Sequence, residues 1–138
     1  MNNSQLTVEA NIQADIQTVW SAYTAPEHIT KWNFATDDWQ CPHAENDLRV
    51  GGRYLARMEA KDGSFGFDFE ATYDEVSPVS KLVYTMTDGR KCSVTFSHQN
   101  NQTKVVTTFD AESENPPEMQ QQGWQMILNN FKKYAETL

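Results

Sequence analysis

The stretch Tyr54-Leu55-Ala56-Arg57-Met58-Glu59-Ala60-Lys61-Asp62-Gly63-Ser64-Phe65-Gly66-Phe67-Asp68-Phe69-Glu70-Ala71-Thr72-Tyr73 decides the fold. Tyr54, Ala56, Met58 and Ala60 alternate with Arg53, Arg57, Glu59 and Lys61, and Leu55 is the one apolar residue on the outer register. Asp62-Gly63 is a turn signal, after which Phe65, Phe67, Phe69, Ala71 and Tyr73 alternate with Gly66, Asp68, Glu70, Thr72 and Asp74. A period of two on both arms makes a hairpin with one face for the interior and one for water.

Upstream, Gly51-Gly52 reads as a bulge or bend, with Asp47 and Arg49 anchoring the turn, and Cys41 to Asn46 reads as a short loop. Downstream, Ser77-Pro78 breaks the chain before a strand at Leu82 to Thr87. Asp88-Gly89 turns it into Cys92, Val94 and Phe96, and Asn100-Asn101 leads to a last strand, Lys104 to Asp110. The region from Thr36 to Asp110 is therefore an antiparallel meander. Before it, Leu6, Val8, Ala10 and Ile12 alternate as a half-buried strand. Asp15 then caps a helix carrying Ile16, Val19, Trp20 and Tyr23. Thr24-Ala25-Pro26-Glu27 reads as a capping box that starts a second short helix bearing Ile29 and Trp32.

At the other end Asn115 caps, Pro116 takes the first helical position and Glu118 returns the capping-box bond. Met119, Trp124, Ile127, Leu128, Phe131 and Tyr134 form the apolar stripe of this last helix. Gly123 interrupts it at ~1 kcal/mol relative to Ala, which suggests close approach of a strand or ring.

This order of elements and four stretches of sequence resemble the SRPBCC superfamily, the helix-grip fold of START-like and birch-pollen-allergen-like proteins. The stretches are Val19-Trp20-Ser21-Ala22-Tyr23-Thr24-Ala25-Pro26-Glu27-His28 with Trp32, Asp47-Leu48-Arg49-Val50-Gly51-Gly52-Arg53-Tyr54, Tyr73-Asp74-Glu75-Val76-Ser77-Pro78 with Leu82-Val83-Tyr84-Thr85, and Gln122-Gly123-Trp124. The branch they resemble is the homologues of the activator of a heat-shock-chaperone ATPase. The resemblance implies an α+β fold in which a curved antiparallel sheet grips the long C-terminal helix, often around an apolar cavity. It does not imply one activity, because this fold hosts carriers, sensors, cyclases and co-chaperones.

Composition narrows the function classes. At 138 residues a single domain spanning 1–138 is expected. Net charge −8 disfavours nucleic acid and anionic membranes as partners. No apolar run reaches the ~18 residues that span a bilayer, and Met1-Asn2-Asn3-Ser4-Gln5 lacks a signal-peptide core. With only two cysteines, Cys41 and Cys92, a cytoplasmic location is expected. Cys92 falls on a buried register, whereas Cys41 beside Pro42 is expected to be more exposed.

His28, His43 and His98 lie far apart, and Cys41-Pro42-His43 lacks further ligands, so no metal is expected. Gly51-Gly52 lacks the Lys-Ser/Thr of a phosphate loop, no nucleophile elbow is present, and no cofactor is expected. Acid-base chemistry has candidates in Glu27, His28, Asp37, Asp38 and His98 if one of them faces a cavity. A carboxylate or imidazole projecting into the cavity, His98 or Asp37 for example, would favour an enzyme of the cyclase, isomerase or hydrolase kind, and a lining of apolar groups alone would remove that reading.

The leading expectation is a non-enzymatic carrier or sensor of a small apolar or aromatic molecule. Tyr54, Met58, Phe65, Phe67, Phe69, Tyr73 and Phe96 share the inner sheet register, and Trp124, Ile127, Leu128 and Phe131 face them. Trp32 and Trp39 are expected at the rim. These residues either fill the core or line a pocket of ~300–1,000 Å³. A chaperone partner is the third reading, and it is not favoured. The chain is expected to lack the additional N-terminal domain of the eukaryotic activators, and the acids Asp110, Glu112, Glu114 and Glu118 read as solubilising and capping groups.

Overall fold

The computed structural model describes residues 5–138. Residues 1–4, in the stretch read above as free of a signal-peptide core, lie outside the described residues. The elements run β1 (Gln5–Ile12), α1 (Ile16–Thr24), α2 (Pro26–Ile29), β2 (Trp39–Asn46), β3 (Arg53–Ala60), β4 (Gly66–Ser77), β5 (Lys81–Met86), β6 (Lys91–Gln99), β7 (Gln102–Asp110) and α3 (Pro117–Ala135). One curled antiparallel sheet of seven strands has the order β1-β7-β6-β5-β4-β3-β2. The architecture is the α+β helix-grip arrangement, with α3 in the concave face.

Turn chemistry sets the meander. Gly63 and Gly89 sit at φ 79° and 93°, and Asn100 and Asn101 at 45° and 68°, the left-handed values that tight hairpins require. The Gly51-Gly52 bend has a stronger demand. Asp47 Oδ1 and Oδ2 both accept from Arg49 Nε at 2.9 Å, and Gly52 N–H donates to Arg49 O at 2.8 Å. A Cβ on Gly52 would stand 1.9 Å from Asp47 O, so only glycine fits.

The edge strand β1 is closed by α3. Gln121 Nε2 donates to Thr7 O, Gln125 Nε2 to Glu9 O and Lys132 Nζ to Asn11 O, at 2.9, 3.1 and 2.7 Å. Gln13 N–H in turn donates to Glu136 Oε2 at 2.8 Å. The first spacing follows from geometry, since two strand residues advance ~6.6 Å and four helical residues ~6 Å. These bonds satisfy strand carbonyls that would otherwise invite another strand.

Several sequence readings are corrected. Asp15 does cap α1, its Oδ1 accepting from Thr18 N–H at 2.7 Å. Thr24 caps nothing. Its hydroxyl donates back to Trp20 O, and α2 starts on Ala25 without a side-chain cap. The segment from Cys41 to Asn46 is strand β2, not a loop, and Cys41 is buried on it. Leu55 is also buried despite its outer register. Helix α3 begins one residue late, with Pro116 as its cap, because the Asn115 amide donates to the Glu112 carboxylate instead. Glu118 therefore returns no capping-box bond. Met119 lies outside the buried stripe, 59% exposed, because the stripe begins only where the helix meets the sheet at Trp124. A Cβ on Gly123 would meet nothing within 4 Å, so no strand or ring approaches it.

Candidate functional site

The interior of the curl is divided into a filled end and an open end. At the filled end Trp20, Tyr23, Trp32, Phe96 and Phe131 pack edge-on or tilted, with ring centroids 4.9–5.4 Å apart. Such pairs add ~0.5–1.5 kcal/mol each beyond their buried area. Trp32 is fixed there because its Nε1 donates to Ala22 O at 2.8 Å and Asn130 Nδ2 donates to Trp32 O at 2.9 Å. Toward the start of α3, Trp124 lies flat on Phe109, centroids 3.9 Å apart and planes within 9°.

Between these anchors lies a cavity of about 170 Å³. Its walls are Trp124, Ile127 and Leu128 from α3, Tyr54 and Met58 from β3, Phe67 and Phe69 from β4, Tyr84 from β5, Val8 and Thr107 from β1 and β7, and Tyr23, Trp32 and Asn33 from the helical segment. It is smaller than the pocket expected from the sequence because the ring cluster around Phe131 occupies one end. A void of ~150 Å³ with apolar walls is known to admit a molecule the size of benzene.

The aromatic candidates therefore separate into groups. Trp32, Tyr54, Met58, Phe67, Phe69, Trp124, Ile127 and Leu128 line the cavity. Tyr73, Phe96 and Phe131 are buried outside it; Tyr73 Oη donates to Asn46 Oδ1 at 2.8 Å, and the other two belong to the ring cluster. Phe65 departs from its inward register. It is 62% exposed and precedes β4, where the hairpin tip runs past the helix that would cover it. Trp39 does not line the cavity. It packs against Phe65 and Phe67, at 6.0 and 6.3 Å, as an aromatic rim that Phe67 shares with the cavity. A charged cleft beside the same strand holds Asp68, Glu70, Asp88 and Arg90. Its ions are already paired with Arg57, Arg53 and each other.

Sequence reasoning missed Val8, Tyr23, Asn33, Tyr84 and Thr107 as cavity walls. Val8 and Tyr23 carry a signal, for Val8 lies on the Leu6 to Ile12 alternation and Tyr23 on the apolar repeat of the first helix. Asn33, in the turn after α2, carries none.

The chemistry of the lining is neutral. It contains no carboxylate, imidazole or thiol. Glu27, Asp37, Asp38 and His98 are exposed, and His28 Nδ1 meets Tyr134 Oη at 2.5 Å between α2 and α3. Burial pushes the Tyr23, Tyr54 and Tyr84 phenols above the ordinary tyrosine range, so all three stay protonated at neutral pH. Burial also raises both thiols, Cys41 to about 11 and Cys92 to about 12. Cys41, expected at the surface, is thus an inert interior thiol, because the edge strand that carries it turns its side chain inward. Among the described residues no three His, Cys, Asp or Glu side chains converge as a metal site needs, and no helix is long and apolar enough to cross a membrane.

Residues 13–136 match the family described as Activator of Hsp90 ATPase homolog 1-like protein. The solution structure of an AHSA1-like protein from Aeromonas hydrophila is 44% identical, with TM-score 0.91 over 97% of this chain and 93% of that one. A solution structure from Cytophaga hutchinsonii is 46% identical, with TM-score 0.83 over 96% and 92%. The Aha1 dimer from Colwellia psychrerythraea shares the fold at 18% identity, with TM-score 0.74 over 96% of both chains. No curated protein matches the sequence.

Proposed function

The chain belongs to the family of Activator of Hsp90 ATPase homolog 1-like proteins, and on that footing we propose that it binds a small apolar or aromatic molecule as a carrier or sensor. The observation that carries this reading is the uncharged, aromatic-walled cavity under α3. A ligand that hides ~200 Å² of apolar surface there gains about 5 kcal/mol before ordering costs. The phenols that face it hold their protons, and no stronger base is in the lining, so the same walls give acid-base catalysis no titrating group at neutral pH. The Asp110 to Glu118 acids favour chaperone docking no more than they favour a structural role. Glu112 is spent internally, its Oε1 accepting from Glu114 and Asn115 N–H at 3.0 and 2.7 Å.

Native mass spectrometry of the protein purified from its own host, followed by thermal shift against aromatic and lipid-like metabolites, tests the proposal. A ligand at one hundred times its Kd adds ~2.7 kcal/mol of stability. No co-purifying mass together with no stabilising compound would remove the reading.

A further inference from the structure

The polar atoms in the cavity are not equivalent. Among the described residues neither the Tyr23 nor the Tyr84 hydroxyl shares a hydrogen bond with another polar group of the lining, and Tyr84 stands opposite Cys92 across the β5–β6 pair. Asn33 and Tyr54 are different. Both are buried, at 7% and 9% exposure, both line the cavity, and Asn33 Nδ2 donates to Tyr54 Oη at 3.1 Å. That bond uses one donor and one acceptor of the pair. The Tyr54 O–H proton and Asn33 Oδ1 have no protein partner among the described residues. If the amide is turned over, the phenol donates to Oδ1, and the amide N–H groups and a phenol lone pair are left instead. Either way at least one donor and one acceptor remain, side by side, at the wall of an apolar cavity.

Among the described residues no fully buried side-chain nitrogen or oxygen lacks a partner, so the unpartnered Asn33 Oδ1 is not sealed in the core and stays open to a hydrogen-bonding molecule in the cavity. Charge is a separate matter. No Lys, Arg, His, Asp or Glu lines the cavity, so an ion placed there would be desolvated without a counter-ion.

We propose that the Asn33–Tyr54 pair is the polar recognition point of the cavity, and that the ligand is an uncharged molecule of one or two rings carrying a neutral oxygen function, a ketone, amide or hydroxyl, set against that pair. The proposal rests on the cavity-binding reading and adds the chemical class. The rest of the ligand meets apolar walls, and its outer end points toward Phe67 and the exposed rim of Phe65 and Trp39.

Three probes of nearly one shape test it: 2-acetylnaphthalene, 2-ethylnaphthalene and 2-naphthoate, titrated at pH 7 against 15N-labelled protein while the Trp124 indole resonance is followed. The ketone and the hydrocarbon should bind, and the carboxylate should bind at least ~tenfold more weakly than the ketone. In Asn33→Leu/Tyr54→Phe, both polar partners are replaced by apolar groups of similar shape, which a fold tolerates far better than removing one. There the ketone should weaken ~tenfold relative to the hydrocarbon. Tyr54→Phe alone keeps the ring and supplies the same comparison should the double variant not fold, with a smaller relative loss of about threefold because the Asn33 amide still donates. An unchanged ketone-to-hydrocarbon ratio in the variant that folds, or naphthoate binding as tightly as the ketone, overturns the proposal while leaving the cavity-binding reading intact. Failure of all three probes to bind the unmodified protein overturns both.

Discussion

Replacing Gly123 by Ala should stabilise the protein. Gly123 lies in the second turn of α3, a helix running from Pro117 to Ala135, and an added Cβ meets nothing within 4 Å. Neither a clash nor a lost contact offsets the intrinsic gain, which for Gly to Ala in a helix interior is about 1 kcal/mol. Part of that gain arises in the unfolded chain, where alanine has fewer conformations to lose. For a chain of 138 residues, unfolding entropy per residue converts 1 kcal/mol into a rise of about 3–4 °C in Tm. Circular dichroism melts and urea titrations should agree, with the urea midpoint raised and the slope unchanged. Gly123 does not line the cavity, so probe binding should stay as it was. A Tm that is unchanged or lower would refute the reasoning. It would mean that the helix needs the glycine, as the sequence reading of a close approach supposed.

Gly52→Ala should do the opposite and cost more than ~3 kcal/mol, because its Cβ would stand 1.9 Å from the backbone oxygen of Asp47; a urea midpoint near the unmodified value would show that the bend can open. Acid should destabilise the fold. Asp15 is lowered by its bonds to Thr18, Asp74 by the Thr85 hydroxyl and Lys91, and Glu136 by Lys132 and the Gln13 N–H. Depressed carboxylates add stability above the ordinary carboxylate range and lose it as pH falls through their folded values. The urea midpoint should therefore vary little on their account from pH 7 to about 5 and fall below about 4. Asp15→Asn keeps the cap and should make that acid limb shallower, and an identical limb would remove Asp15 from the account. Finally, adding this protein to an Hsp90-class chaperone at low salt should leave ATP turnover unchanged. A saturable increase that disappears in Glu114→Gln would overturn this, and Glu114 is the informative position because Glu112 is needed for the loop before α3.

The meander was legible because its signals are local and redundant. The alternation in Tyr54 to Tyr73 is interrupted by a turn pair whose glycine has φ 79°, and the same grammar repeats at Asp88-Gly89 and Asn100-Asn101. Strand β2 was not legible, and its residues say why. It is an edge strand whose register shifts between Gln40 and His43, so alternation breaks there, and Pro42 is tolerated where no second neighbour needs its N–H. The caps failed for a different reason: Thr24 and Asn115 each had a nearer partner, Trp20 O and the Glu112 carboxylate. Strand parity correctly predicts which face a side chain takes but not how far along that face the helix covers it. Phe69 and Phe65 share a parity, yet one lines the cavity and the other stands in solvent.

That last distinction explains why an open space survives in a fold with so many rings. Helix α3 is held by polar bonds at its side, from Gln121, Gln125 and Lys132 to the carbonyls of β1 and from Asn130 to Trp32 O and Phe34 O. Those bonds set the distance between the helix and the β1 edge. Rings then fill the two places where they reach across, Trp124 onto Phe109 and Phe131 into Trp32 and Tyr23. Ile127 and Leu128, between those two rings in sequence, line the gap rather than close it. A helix held chiefly by apolar contacts would gain by sinking until the void closed, since unfilled volume forfeits dispersion contacts. Here that movement would break hydrogen bonds along the β1 edge, each worth ~0.5–1.5 kcal/mol. The polar stitching of the helix therefore accounts for the cavity, and Gln121, Gln125, Asn130 and Lys132, which do the stitching, do not line it.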